Sequence, residues 1–221
     1  MIDLPGCLNM RDLGGYRTRS GRQVARGRLF RSGSLGGLAG EAAQRVVGSL
    51  GLRRVIDLRT QREVEECPAA ELPGHCTTIQ APLFRTIWWH WVAPADRSPE
   101  ATARRYVEML EEGAATVARV VDLLGDADEC PTVIHCMAGR DRTGIVIACV
   151  LEVLGVPDAV IAEDYALSDA LLDDGGLAHA ETMLCMLELV RARHGSVRAL
   201  LIERAATTAA LDRLATALLV A

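Results

Sequence analysis

Two side chains in the stretch His135 to Gly144, HCMAGRDRTG, can do chemistry together: the thiol of Cys136 and the guanidinium of Arg142, six positions on. Between them stand Ala138 and Gly139, small enough for a tight loop. Such a loop turns backbone N–H groups inward, and a helix start adds partial positive charge, so the pair suits a tetrahedral oxyanion. The same surroundings favour the thiolate, which is the nucleophilic form. The stretch reads as a phosphate-cradling loop with its nucleophile built in.

The spacing alone is weak evidence. With seven Cys and 24 basic residues in 221 positions, about one such pair arises from composition. Cys185 and Arg191 are a second pair, with Met-Leu-Glu-Leu-Val between them and no glycine. Helical periodicity runs through that pair, so its thiol is expected to be buried and inert. The Cys136 pair differs in its setting. An apolar, strand-like run precedes it (Pro131 to Ile134), and the Thr143 hydroxyl and a long apolar helical run (Ile145 to Gly155) come after it.

Strands and helices alternate around this loop. Leu4 to Tyr16 is Gly-rich and irregular, with Asn9, Arg11 and Asp12 either tying down a surface loop or supporting the active loop. Arg28 to Arg31 is a short strand. Residues 39–51 have helical spacing, with Gly51 as the C-terminal cap. Leu52 to Leu58 is a buried strand. It delivers Asp57 and Arg59 at its C-terminal end, where open α/β sheets place their sites, although a surface salt bridge is the plainer account of the pair. Residues 60–66 form a helical turn, and Thr77 to Pro82 another strand. All three Trp (Trp88, Trp89, Trp91) and His90 fall within four positions. With Pro94, Asp96, Ser98 and Pro99 beside them they form a loop: a lid or substrate wall, or else a hydrophobic plug or dimer contact. Pro99 to Leu124 is helical, capped by Ser98 and broken near Gly113. Further helices are expected at Thr143–Leu154, from Pro157, and over 177–193, 196–204 and 207–219, with a turn at Asp174–Gly176. The pattern predicts an α/β fold over one domain, residues 1–221: a central, mostly parallel sheet flanked by helices, with a helical C-terminal half.

Composition sets outer limits. The net charge of −5 argues against nucleic acid as partner. Every basic residue is Arg, which removes lysine Schiff bases and leaves bidentate phosphate binding; abundant Ala points to codon bias as the cause. No apolar run has the length of a bilayer span and no signal pattern opens the chain, so integral membrane association is not expected. A cytoplasmic site is expected, with secretion by a route that needs no signal peptide also compatible. Seven Cys without a C-x-x-C pair predict reduced thiols, with no metal site and no cofactor.

HCMAGRDRTG resembles the signature of cysteine-dependent protein tyrosine and dual-specificity phosphatases. More narrowly, it resembles the His-Cys-x-x-Gly-Lys-Asp-Arg-Thr-Gly loop of bacterial atypical tyrosine and phosphoinositide-active phosphatases, with Arg140 in place of Lys. NMRDLGGY, GRLFRSG, LGLRRVIDLRTQRE, DYALSD and the terminal LELVRARHGSVRALLIE and LDRLATALL are similar to the same subfamily, so the likeness covers most of the chain. It implies a tyrosine phosphatase-like fold and hydrolysis of a phosphomonoester through a phosphocysteine on Cys136. The backbone N–H groups of Met137, Ala138, Gly139, Arg140, Asp141 and Arg142, with the Arg142 guanidinium, would bind the equatorial oxygens. Thr143 would hydrogen-bond the departing thiolate, and His135 would orient the loop. Asp57, Arg59 and Arg11 are its expected supports. Asp141 is the preferred general acid, Asp96 the alternative. Substrates within this expectation are a phosphorylated protein, a phosphoinositide or a small phosphorylated metabolite. A non-catalytic phosphate-binding module, a sulfurtransferase and a purely structural Cys136 are the rival expectations. Cys7, Cys67, Cys76 and Cys130 are candidate disulfide partners if the thiolate is oxidised.

Overall fold

The central strand of the molecule is the run that leads into the loop. A computed structural model describes residues 6–36, 38, 40–68, 70–84, 96–172 and 177–221. In chain order the strands are β1 (Arg11–Asp12), β2 (Gln23–Val24), β3 (Leu29–Ser32), β4 (Arg54–Asp57), β5 (Thr77–Gln80), β6 (Thr132–His135) and β7 (Leu219–Val220). The main sheet has the order β1-β3-β6-β4-β5, with β6 in the middle. β3, β6, β4 and β5 are parallel, while β1 pairs antiparallel with β3. All four residues of β3, β4 and β6 are buried. A parallel strand covered on both faces usually reads as a nearly continuous apolar run, but each of these carries only two central apolar residues or a leading pair, and its other positions are buried polar groups such as Arg31, Asp57 and His135.

The register decides where chemistry can be placed. Ser32, Asp57 and His135 stand in one row at the C-terminal ends of β3, β4 and β6. The loops that leave these three strands therefore meet at one end of the sheet. Alternation splits the two faces. Phe30, Val55 and Val133 pack with Val46 and Val47 of α1 (Gly40–Leu50). Leu29, Ile56 and Ile134 face the larger helical layer.

That layer holds α3 (Pro99–Leu124), α4 (Asp141–Val153), α5 (Asp158–Leu172), α6 (Ala180–His194), α7 (Val197–Glu203) and α8 (Thr208–Leu218); the short α2 (Gln61–Glu66) comes after β4. Thr143 to Leu151 of α4 is buried on every side, as expected for a helix enclosed by sheet and helices. The expected mostly parallel sheet and helical C-terminal half are present. No described helix is long and apolar enough to cross a membrane.

Several expectations are corrected in detail. α3 is one continuous helix of 26 residues, not two. Gly113 is there for close approach: a Cβ would come within 2.5 Å of the Leu83 carbonyl oxygen. The Gly-rich first stretch contains strand β1, and Arg11 is buried, not part of a surface loop. The last helix stops at Leu218, because Leu219–Val220 pairs with β2 in a second, two-stranded sheet. The strands after Leu52 and Thr77 end at Asp57 and Gln80, short of the expected Leu58 and Pro82. The Trp88–Trp91 cluster and the Asp174–Gly176 turn lie outside the described residues.

Candidate active site

The loop after β6 is held by its carbonyls. His135 O accepts from Leu58 N at 2.8 Å, and Met137 O from Ser34 N at 2.7 Å. Cys136 O accepts from His135 Nδ1 at 3.1 Å, Ala138 O from Asn9 Nδ2 at 3.2 Å, and Gly139 O from Arg31 Nη2 at 2.7 Å. Arg140 O accepts from Gly144 N at 2.8 Å, in the first turn of α4. In a trans peptide the N–H points opposite to the preceding C=O. Fixing the carbonyls of Cys136 to Arg140 on the outside therefore turns the N–H groups of Met137 to Asp141 the other way, into the hollow of the loop. Cys136 is buried at its base, 2% exposed. Gly139 makes the turn at φ +71°, and a Cβ there would come within 2.3 Å of Ser32 O. Both the conformation and the close approach require glycine.

Two of the groups that hold those carbonyls, Arg31 and Asn9, belong to a buried cluster around an ion pair. Asp164 of α5 accepts from Arg31 Nη1 at 2.6 Å, Arg11 Nε at 2.9 Å and Tyr16 Oη at 3.0 Å. Arg31 then reaches Gly139, and Arg11 donates to the side chain of Asn9, which reaches Ala138. Asn9 sits at φ +57°, a left-handed conformation that Asn tolerates better than most residues. Burial alone would raise the Asp164 pKa, but the charges of Arg31 and Arg11 outweigh it and hold the carboxyl below its usual range.

Arg142 is gripped from behind. Its Nη1 and Nη2 donate to Glu63 Oε2 and Oε1, both at 2.6 Å, and its Cζ lies 5.4 Å from the centre of the Phe84 ring. Glu63 is itself fixed by a capping box at the start of α2. Thr60 Oγ1 accepts from Glu63 N, and Thr60 N donates to Glu63 Oε2 at 2.8 Å. Burial would raise the Glu63 pKa, yet Arg142 holds it below the usual carboxylate range. The Thr143 hydroxyl is buried with no hydrogen-bond partner among the described residues, so its proton is unspent.

Asp57 and Arg59 are fully buried, so a surface salt bridge is excluded. Asp57 accepts from Arg59 Nε at 3.0 Å on each oxygen, from Arg59 Nη2 at 2.7 Å, and from Gln80 Nε2 at 3.0 Å. His135 Nε2 is 3.8 Å from Asp57 Oδ2, and burial pushes the His135 pKa below its ordinary value despite that carboxylate. The contact of Nδ1 with Cys136 O ties the ring to the start of the loop.

Of the two expected acids, Asp141 stands at the loop, as the first residue of α4. Its Oδ1 accepts from the hydroxyl of Tyr106, on α3, and from Arg140 Nε at 3.3 Å. Asp96 is exposed, and its carboxylate is bound to Ser98 N at 2.8 Å, which keeps its pKa below the usual range. Sequence patterns miss Glu63, Arg31, Asp164, Tyr106 and Tyr165. Glu63 carries a local signal, the Thr60-x-x-Glu63 capping box, and Arg31, Asp164 and Tyr165 fall in the family-like stretches GRLFRSG and DYALSD, which do not show what each residue contacts. Among the thiols, Cys130 and Cys76 precede β6 and β5, at the sheet end opposite Cys136, beyond disulfide reach. Cys185 is half-buried, not enclosed, although burial still raises its pKa.

The model of the tyrosine phosphatase family matches residues 2–220. The triple specificity protein phosphatase PtpB of Mycobacterium tuberculosis is 31% identical over 196 residues, covering 76% of this chain and 68% of that protein. A tyrosine-protein phosphatase of Nostoc commune is 28% identical over 146 residues, 66% of this chain and 49% of its own length. Among solved structures, the core catalytic domain of the PP-IP phosphatase SIW14 from S. cerevisiae overlays with a TM-score of 0.46 and 12% identity, over 87% of this chain and 96% of that one.

Proposed function

The chain belongs to the tyrosine phosphatase family and is a cysteine-dependent phosphomonoester hydrolase; we propose that Cys136 is its nucleophile, the loop N–H groups and Arg142 its phosphate cradle, and Asp141 its general acid. What supports this assignment is the anchoring of the successive carbonyls from Cys136 to Arg140, which turns the N–H groups of Met137 to Asp141 away from those anchors.

In the first step the Cys136 thiolate forms the S–P bond as the P–O bond to the leaving group breaks. Asp141 gives its proton to the departing oxygen. Charge spread over three equatorial oxygens meets the N–H groups of the cradle and the Arg142 N–H groups that Glu63 leaves unused. Those donors need no reorganisation, because Glu63 and the ionic cluster have already placed them. In the second step water attacks phosphorus, Asp141 takes its proton, and the Thr143 hydroxyl meets the returning thiolate. His135, Asp57 and Arg59 hold the frame. One catalytic domain, residues 1–221, contains every group named.

Phosphorylated protein is the substrate class we propose, in line with relatives named as protein phosphatases. A phosphoinositide or a small phosphorylated metabolite is the alternative, favoured by a second cation, Arg140, beside the cradle. Seven free thiols suit a reducing compartment, and we place the protein in the cytoplasm. The test is phosphate release from phosphotyrosine and phosphoserine peptides, phosphoinositides and sugar phosphates, with Cys136→Ser as control. Phosphopeptide turnover that disappears in Cys136→Ser is expected. Turnover that survives the substitution overturns the nucleophile assignment, and a strong preference for phosphoinositides or sugar phosphates overturns the substrate class.

A further inference from the structure

The hydroxyls of two buried tyrosines stand behind Asp141. Tyr106 of α3 is 3% exposed and Tyr165 of α5 is 1% exposed. Their Oη atoms are 2.8 Å apart, and their rings meet edge to face at 86° with centroids 6.1 Å apart. Gly144 makes room for the pair, since a Cβ there would come within 2.9 Å of the Tyr165 ring. Tyr106 Oη then donates to Asp141 Oδ1. Arg140 Nε donates to the same oxygen at 3.3 Å, so both of these bonds fall on Oδ1.

An acid that gives a proton to a leaving oxygen must carry it on the oxygen that faces the substrate. An oxygen that already accepts from two donors is the less basic of the two. We infer that Tyr106 is a positioning residue for the general acid: by donating to Oδ1 it directs the proton of Asp141 to Oδ2, with Tyr165 holding the Tyr106 hydroxyl in line. When Oδ2–H passes its proton to the leaving oxygen, the carboxylate formed keeps the Tyr106 bond, and Oδ2 takes the proton of the attacking water in the second step. Burial, with the Asp141 charge behind it, pushes the Tyr106 pKa well above its ordinary value, so the hydroxyl remains a donor over the working pH range. The inference rests on the assignment of Asp141 as the acid, and the experiment separates the two.

The experiment is kcat/KM over a series of aryl phosphates of rising leaving-group pKa, from 2,4-dinitrophenyl to phenyl phosphate. Leaving groups that need no proton do not sense the acid, so loss of acid catalysis steepens the dependence. Asp141→Asn is expected to lose about 100-fold on phenyl phosphate and far less on the dinitrophenyl ester. Tyr106→Phe keeps the ring and is expected to lose about tenfold on phenyl phosphate with the same steepening. The double variant is expected to be no slower than Asp141→Asn, because both changes remove one function. A steep Asp141→Asn series with a flat Tyr106→Phe series overturns the inference and leaves the acid assignment standing. A flat Asp141→Asn series removes the acid assignment and the inference with it. Additive losses in the double variant also overturn the inference. Should Tyr106→Phe not fold, Tyr165→Phe serves in its place: a smaller loss with the same steepening supports the inference, and an unsteepened series overturns it.

Discussion

Glu63 meets Arg142 through two oxygens at 2.6 Å, the strongest geometry available to a guanidinium. Two of the five guanidinium hydrogens are spent there, and three remain for a phosphate. Glu63→Gln keeps the shape but turns an amide NH2 toward a cation and removes the charge that aims it. The expected result is a fall in kcat/KM of at least about tenfold, or about 1.4 kcal/mol of transition-state stabilisation. Steady-state kinetics beside a melting curve check it; an unchanged kcat/KM would mean Arg142 is placed without Glu63. At this scale the sequence is legible where the partners are neighbours. Cys136, Asp141, Arg142 and Thr143 share one strand–turn–helix passage, so their types and order are enough. Glu63 is 79 positions from Arg142. Its capping box already accounts for it as a helix start, and only the fold shows that Oε2 serves both Thr60 and Arg142.

β1 is a two-residue strand, yet it carries the support of the cradle. Asn9, just before it, links Arg11 to Ala138 O. Replacing Asn9 separates backbone from side chain. Asn9→Gly removes the amide and adopts φ +57° freely, whereas Asn9→Ala removes the amide and keeps a Cβ in a left-handed conformation that only the polar side chain of Asn makes tolerable, at a cost of about 1 kcal/mol. Both variants are expected to lose turnover and some stability with the buried amide, and Asn9→Ala to lose more of it than Asn9→Gly, read from urea unfolding. Equal stability in the two would show that the local conformation relaxes. Elements differ in how far the sequence reveals them. α1 matches its periodicity and its Gly51 stop closely, and α4 lies within two residues of its expected bounds. α3 is misread at Gly113, because glycine lowers helix propensity whatever the reason it is present, and the approach of Leu83 to Gly113 is a tertiary fact. β1 and β7 are two residues long, too short for any period, and exist through β3 and β2.

Across the whole molecule, burial of ionised groups around one end of the sheet ties stability to pH. Asp57, Glu63 and Asp164 all have pKa values below the ordinary carboxylate range, because guanidinium partners outweigh burial. In the unfolded chain they take up protons near pH 4, before the folded protein does. Their contribution is therefore complete above that pH and is lost as the pH falls toward their folded values. Each such group gives a slope of up to about 1.4 kcal/mol per pH unit, so the three together give up to about 4. His135 adds an earlier and gentler loss: burial keeps it neutral in the fold, while the unfolded imidazole protonates below about pH 6.5. Urea midpoints from pH 8 to pH 3 are expected to decline slowly from about 6.5 and steeply below about 4. Asp164→Asn strands Arg11 and Arg31 in the interior and should cost about 3–5 kcal/mol at neutral pH. Its acid limb should nevertheless be shallower than that of the wild type, since one of the three titrating carboxylates is gone. An acid limb of unchanged slope in this variant would place the pH sensitivity outside the ionic cluster, and a midpoint that stays level from pH 7 to pH 5 would show that His135 does not remain neutral when the chain folds.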